Sequence, residues 1–221
     1  MNFIDGQMMK QNSTRIQNFF SRGVTKILSL PDLRTFFPKK QDSDFNLGKQ
    51  TILFTDIVGS SQFYSSVGDE QAFAEVSEHF EEIFKEIAKH NGLVVKTIGD
   101  AVMAAFLSPE QAIAAAVSIQ KLFHQGRKDT SIRLRISIHC GPVIAVRHKS
   151  GMDYFGNTVN YAAKIQARIG AGEVAISETV HSECQTTMHA NLRIEKRTSE
   201  KHEANSSDIF VFQVSSAQMA A

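Results

Sequence analysis

From about residue 50 onward, apolar and polar positions alternate in a way that resolves into strands and helices. Thr51-Ile-Leu-Phe54 is a continuous apolar run of strand type, ending at Thr55-Asp56. A helix is expected from about Glu70, with Phe73, Val76, Phe80, Ile83, Phe84 and Ile87 on one face and Gly92 as its stop. Leu93–Ile98 and Ala101–Phe106 read as two strands joined by Gly99-Asp100, a hairpin signal. Ser108-Pro109-Glu110-Gln111 is a helix start, with Ser at the cap, Pro at the first helical position and Gln three residues after the cap. That helix is expected to run to about His124. A strand follows over Ile132–Ile138, and Gly141-Pro142 reads as a turn into Val143–Val146. A helix from about Thr158 to Ile169 stops at Gly170, and Glu173–Ile176 and Ile209–Val214 read as strands. Between them lie a short helix near 178–185 and a polar, charged stretch from 195 to 208. The order strand, helix, strand, strand, helix, strand predicts an α+β fold: a ferredoxin-like βαββαβ core with a C-terminal α/β extension, over residues 48–214.

Residues 1–47 differ in pattern. They hold Pro31, Pro38, the basic pair Lys39-Lys40 and the polar close Gln41-Asp42-Ser43-Asp44. Ile16, Phe19, Phe20, Val24, Ile27 and Leu28 recur at helical spacing, which predicts an amphipathic helix around 13–29. Such a helix either meets a membrane surface or partner, or packs on its own domain or a dimer mate. Residues 215–221 read as a frayed tail. Internal repeats and low-complexity tracts are absent from the sequence.

Composition narrows the classes. The chain of 221 residues is 42% hydrophobic and 21% charged, which suits a folded core. With 24 Lys+Arg against 23 Asp+Glu the formal net charge is +1, removing the electrostatic case for a dedicated nucleic-acid binder. The two cysteines, Cys140 and Cys184, are too few for a disulfide framework or a cysteine-rich zinc site and read as reduced thiols. No window approaches the ~20 apolar residues that span a bilayer, and no signal-peptide core opens the chain. The expectation is a soluble cytoplasmic protein with no transmembrane segment.

Several residues carry candidate chemistry. Asp56 follows an apolar strand and precedes Ile57-Val58-Gly59-Ser60-Ser61. Backbone N–H groups of Val58 to Ser61 would face an anion while the carboxylate holds a neutralising cation. Asp100 lies at the tip of the next hairpin, and two carboxylates at adjacent strand ends can clamp two divalent ions. Alternatively Asp56 is a helix cap and Asp100 a turn-former. Lys96 interrupts the strand Val94-Val-Lys-Thr-Ile98; it snorkels from a sheet edge or meets a ligand in a cleft. Asn160 and Lys164 are four residues apart on one helix face, with Arg168 extending the row. That face presents an amide and a cation to a substrate, or is simply solvated.

Four segments occur in order: Ile52-Leu-Phe-Thr-Asp-Ile-Val-Gly-Ser-Ser61, Val95-Lys-Thr-Ile-Gly-Asp-Ala-Val-Met-Ala-Ala-Phe106, His139-Cys-Gly-Pro-Val143 and Asp153-Tyr-Phe-Gly-Asn-Thr-Val-Asn-Tyr-Ala-Ala-Lys164. Together they closely resemble the class III nucleotide cyclase catalytic domain of adenylate and guanylate cyclases. The resemblance covers roughly residues 48–214. It implies conversion of ATP to 3′,5′-cyclic AMP and pyrophosphate, with two Mg²⁺ or Mn²⁺ per site held by Asp56, Asp100 and the Ile57 carbonyl. Lys96 and Asp153 match the family's adenine-reading pair: an ammonium donates to a ring nitrogen and a carboxylate accepts from the exocyclic amine. Asn160 matches the ribose-orienting residue. Where the family has an arginine that stabilises charge at the α-phosphate, this chain has Lys164, which lacks the planar two-pronged donor. That exchange implies a slower enzyme, by roughly ten- to a hundredfold for a lost charge-assisted hydrogen bond of ~1.5–3 kcal/mol. Arg168 is a candidate substitute, and one of Lys196, Arg197 and Lys201 is expected to contact the triphosphate. The resemblance also implies a homodimer with sites shared between protomers. Lys96 and Asp100, about 13 Å apart along an extended strand, fit opposite sites. Two other readings stay open at this stage: an ATP-binding or dimerising module with weakened catalysis, and a cyclase for GTP or a pyrimidine nucleotide.

Overall fold

The computed structural model describes residues 46–124, 132–148, 151–184, 192–198 and 207–214. The chain divides into two units after Ser43, and every described residue belongs to the second, Asp44–Ala221. The helix expected at 13–29 and the tail from 215 lie outside the described residues, as does Lys201.

The elements in chain order are β1 (Asn46–Ile57), α1 (Ser60–Val67), α2 (Asp69–Lys89), β2 (Leu93–Ile98), β3 (Ala101–Phe106), α3 (Pro109–His124), β4 (Leu134–His148), β5 (Gly151–Phe155), α4 (Asn157–Ile165) with a 3₁₀ turn over Gln166–Arg168, β6 (Glu173–Ser177), α5 (Glu178–Glu183), β7 (Ile194–Arg197) and β8 (Ile209–Gln213). They build one mixed sheet in the order β2-β3-β1-β4-β6-β8-β7, with β5 paired to β4. The first four strands of that order, with α2 and α3 as crossovers, form the expected ferredoxin-like core. β4 and β6 run parallel and the other pairs antiparallel, so the C-terminal strands extend the sheet from β4 outward.

The period-2 alternation of the strands sorts their side chains onto two faces. On one face Leu53, Ala104, Phe106, Ile136, Ile138 and Ile176 meet Val76, Ile83 and Ile87 of α2 and Ala112, Ala116 and Ile119 of α3. The other face buries Ile52, Phe54, Met103, Ala105 and Val143 against Ala162 of α4. This second core is small because one short helix supplies it. Gly92 lets β2 start hard against the first core: a Cβ there would come within 2.3 Å of the Phe106 ring. Among the described residues no helix is long and apolar enough to cross a membrane.

Five elements differ from the pattern-based expectation. β1 begins at Asn46, earlier than the apolar run, because its first residues pair with the far end of β4. α1 was not among the expected elements: its apolar residues Phe63, Tyr64 and Val67 do stand at helical spacing, but they cover only about one turn, and none of its side chains is fully buried. It is separated from α2 by Gly68, at φ +87°. Gly141-Pro142 is not a turn: β4 runs straight through it, paired with Gln50 and Lys49 of β1. On the other edge of β4, β6 pairs only with 136–138 and β5 only with 144–148. The N–H that proline lacks therefore falls where no ladder needs it. Gly141 permits the seating of α4, since a Cβ would lie 2.7 Å from Thr158 Oγ1. Finally, β5 is a short strand where the pattern assigned no element, and β7 a short strand that runs into the polar, charged stretch from 195.

Candidate active site

β1 and β3 pair as far as Thr55 with Val102. One step further along that register, Asp56 lies beside Ala101 and Ile57 beside Asp100. The two residues thus stand at the same end of neighbouring strands, which lie about 4.8 Å apart in a sheet. The Asp100 Oδ2 atom is buried and has no hydrogen-bond partner among the described residues. Its charge, together with burial, raises the pKa of the nearby Tyr64 phenol on α1, burial being the larger cause. Ile57 buries its side chain in the α2/α3 core. Asp56 has a partner the sequence reading missed: Arg135, directly opposite on β4, donates to Asp56 Oδ2 from Nε at 2.7 Å and from Nη2 at 2.5 Å. The signal was present, because Arg135 interrupts an apolar strand just as Lys96 does.

The donor set is one carboxylate with an orphaned buried oxygen, a second carboxylate and a backbone carbonyl. Hard oxygen donors of this kind suit Mg²⁺ or Mn²⁺. Among the described residues no group of three or more His, Cys, Asp or Glu could hold a metal by itself. Two carboxylates completed by substrate phosphates are the usual provision for Mg²⁺.

The turn after Asp56 corrects one expectation. The Val58 N–H continues the ladder and donates to the Arg133 carbonyl at 2.9 Å, so it is not open to an anion. Gly59, at φ +77°, turns the chain into α1, and Gln62 and Phe63 donate back to its carbonyl. The N–H groups of Gly59, Ser60 and Ser61 precede the first intrahelical bond and are the open ones.

Lys96 and Asp153, 57 residues apart, are brought together: Nζ donates to Oδ1 at 2.9 Å and to Oδ2 at 2.8 Å. Strand β2 is a sheet edge, and the bulge between Val94 and Lys96 turns the lysine toward β5. The Tyr154 N–H fixes the carboxylate from its own strand, at 2.8 Å. The half-exposed Phe155 ring lies 5.5 Å from the ammonium.

Asn160 and Lys164 are exposed on α4, on the side away from the buried Thr158, Ala162 and Ile165. The helix is pinned to the sheet by Thr158 Oγ1, which donates to the Pro142 carbonyl at 2.6 Å, and by Ser137 Oγ, which donates to the Ala162 carbonyl at 2.7 Å. Asp56, Arg135 and Lys96 belong by strand parity to the sheet face that α4 covers. Arg168 does not extend the exposed row. Its guanidinium donates to the carbonyls of Ser207 at 2.9 Å and Arg197 at 3.1 Å, beside the C-terminal strands of the sheet. Of the basic residues near 196–201, Arg197 forms a two-pronged pair with Glu173 at 2.7 and 2.9 Å, and Lys196 pairs with Asp208 at 2.5 Å.

Cys140 and Cys184 are both buried and outside any disulfide, and burial raises their pKa values to about 11 and about 12, which keeps them inert. His139 is held below the usual imidazole value by burial, with Nδ1 2.8 Å from Ser177 Oγ.

Residues 45–213 match the adenylate and guanylate cyclase catalytic domain. Among curated proteins, a receptor-type guanylate cyclase of Caenorhabditis elegans, gcy-8, is 30% identical over 144 residues, which is 58% of this chain and 12% of the relative. A germination-specific adenylate cyclase of Dictyostelium discoideum is 29% identical over 150 residues, 59% of this chain and 17% of the relative. The chain thus spans less than a fifth of the length of these relatives. Among solved structures, the adenylyl cyclase CyaB from P. aeruginosa superposes with a TM-score of 0.65 at 21% identity, covering 78% of this chain and 96% of that one. The catalytic core of a rhodopsin-guanylyl cyclase with converted specificity, in complex with ATPαS, gives 0.67 at 20% identity, covering 76% and 96%. Motifs, strand order and profile agree: the chain belongs to the adenylate and guanylate cyclase catalytic-domain family.

Proposed function

We propose that this chain cyclises ATP to 3′,5′-cyclic AMP with release of pyrophosphate, at sites shared between two copies. The observation that carries the reading is the pair of strand-end carboxylates, Asp56 and Asp100, the latter with a buried oxygen that no described residue satisfies. When bound, two divalent cations per site, Mg²⁺ or Mn²⁺, supply Lewis acidity to the ribose 3′-hydroxyl and to the triphosphate. Asp56, Asp100 and the Ile57 carbonyl are the residues to hold them. Gly59, Ser60 and Ser61 offer backbone donors to phosphate oxygens, and Arg135 brings a planar donor pair to the same ground.

Lys96 and Asp153 read the base. Lys96 donates to the adenine ring nitrogen and Asp153 accepts from the 6-amino group; guanine offers acceptor and donor in the opposite order. Asn160 orients the ribose, and Lys164 stabilises charge growing on the α-phosphate. The O3′–Pα bond forms as the bond from Pα to the bridging oxygen breaks; pyrophosphate departs and the hydroxyl proton is released. One copy supplies Asp56, Asp100 and the Gly59–Ser61 turn, and its partner supplies Lys96, Asp153, Asn160 and Lys164. Because each chain carries both sets, a homodimer holds two equivalent sites.

The test is product identity. Purified protein is incubated in turn with ATP, GTP, CTP and UTP in Mn²⁺ or Mg²⁺, and products are resolved by mass and chromatography. Cyclic AMP as the main product supports the reading. A preference for another nucleotide overturns the base assignment, and no cyclic product at any protein concentration overturns the activity.

A further inference from the structure

Lys164 is exposed, and the place of its ammonium depends on where α4 lies. The N-terminal half of that helix is fixed to the sheet through Thr158 and Ser137. Its C-terminal end is different. The α-helix stops at Ile165 and tightens into a 3₁₀ turn that ends at Arg168. Arg168 then grips two carbonyls that are close in space but distant in sequence: Arg197, the last residue of β7, and Ser207, just before β8. The side chains around it close a circuit. Arg197 turns its own guanidinium onto both oxygens of Glu173, and Glu173 Oε2 accepts the Gly170 N–H at 2.7 Å, two residues past Arg168. Tyr161, one turn before Ile165 on α4, brings its hydroxyl to the same Ser207 carbonyl at 3.5 Å.

We infer that Arg168 is a positioning residue, which fixes the end of α4 against the β7–β8 hairpin and thereby sets the reach of Lys164 toward the reacting phosphate. The inference rests on the proposed role of Lys164. Arginine suits this task because its planar fork holds two donors in a fixed geometry, whereas a lysine offers a single ammonium on a flexible stem. The demand on the scaffold is greater here than where an arginine faces the phosphate. A lysine makes a single-point contact on a flexible stem, so its alignment is borrowed from the helix, and a misplacement of about 1 Å can cost about a hundredfold in rate.

The test uses the full chain with Arg168→Ala, Arg168→Lys, Lys164→Ala and the double variant Lys164→Ala/Arg168→Ala. Rates are measured per folded molecule, with the folded fraction taken from thermal melts. Arg168→Ala is expected to lower kcat at least tenfold with KM for ATP within about twofold, and Arg168→Lys to fall between it and the parent. Adding Arg168→Ala to Lys164→Ala is expected to cost little more, because the two act through one contact. A purely structural role would reduce only the folded fraction and leave kcat unchanged, whereas an independent effect on rate would multiply with Lys164→Ala; either result overturns the inference. If Arg168→Ala does not fold, the Arg168→Lys variant decides, and an unchanged kcat there overturns it. Full activity in Lys164→Ala refutes instead the role of Lys164 on which this rests, and the inference falls with it.

Discussion

Replacing Asp153 by Asn probes base choice with almost no change in shape. The hydrogen-bond inventory fixes the size of the effect. Lys96 has three ammonium protons, and two point at the two oxygens of Asp153, leaving one for a ligand. Asp153 has about four acceptor positions; Lys96 takes two and the Tyr154 N–H a third, leaving one. The pair therefore presents one donor beside one acceptor, the complement of adenine at its ring nitrogen and 6-amino group. The Asp153→Asn side chain would keep one oxygen but lose the charge, and its amide can turn to donate to the O6 of guanine. A lost charge-assisted hydrogen bond is worth about 1.5–3 kcal/mol, so kcat/KM for ATP is expected to fall roughly ten- to a hundredfold. Stability should barely change, since Lys96 is 38% exposed and such pairs contribute at most about 1 kcal/mol. Initial rates with ATP and GTP, and a thermal melt, provide the readings. An ATP-to-GTP preference that survives Asp153→Asn unchanged refutes this account of base reading.

Two further outcomes concern catalysis and stability. Lys164→Arg should raise kcat by about tenfold while changing KM for ATP less, because the second donor matters most in the transition state; steady-state kinetics check this. Glu173 is held below the usual carboxylate range, chiefly by its hydrogen bond from Arg197. Its folded-state pKa is depressed, so its contribution is present above the unfolded value near 4.3 and is lost as pH falls through the folded value. Glu173→Gln should therefore lower the melting temperature near pH 7 and narrow its gap to the parent near pH 3, as measured by melts across that range.

Much of the fold was written in local signals. The Gly99-Asp100 hairpin and the Ser108-Pro109 helix start both stand where the pattern put them, because each depends on a few adjacent residues; Ser108 Oγ accepts the Gln111 N–H at 3.4 Å. Features set by distant partners were not legible. The passage of β4 through Pro142 depends on which edges β5 and β6 leave vacant, which no local pattern records. The N–H of Val58 is lost to a carbonyl on β4, and Arg168 to carbonyls flanking β7 and β8. Strand β7 hides in the charged stretch because only its first residue, Ile194, is apolar. The placing of Asp56 and Asp100 at the ends of adjacent strands was expected from the strand pattern, and the pairing of Lys96 with Asp153 from the motifs. Arg135 was missed, although a cation in the middle of a buried strand is itself a signal.

The two aspartates remain the heart of the account. Asp56→Ala and Asp100→Ala, each purified and shown to retain the parent's oligomeric state, are assayed for cyclic AMP from ATP with Mn²⁺. The account predicts no detectable turnover from either variant across a wide range of Mn²⁺. Near-parental turnover in either one would mean that the nucleotide is cyclised, if at all, without this pair of carboxylates.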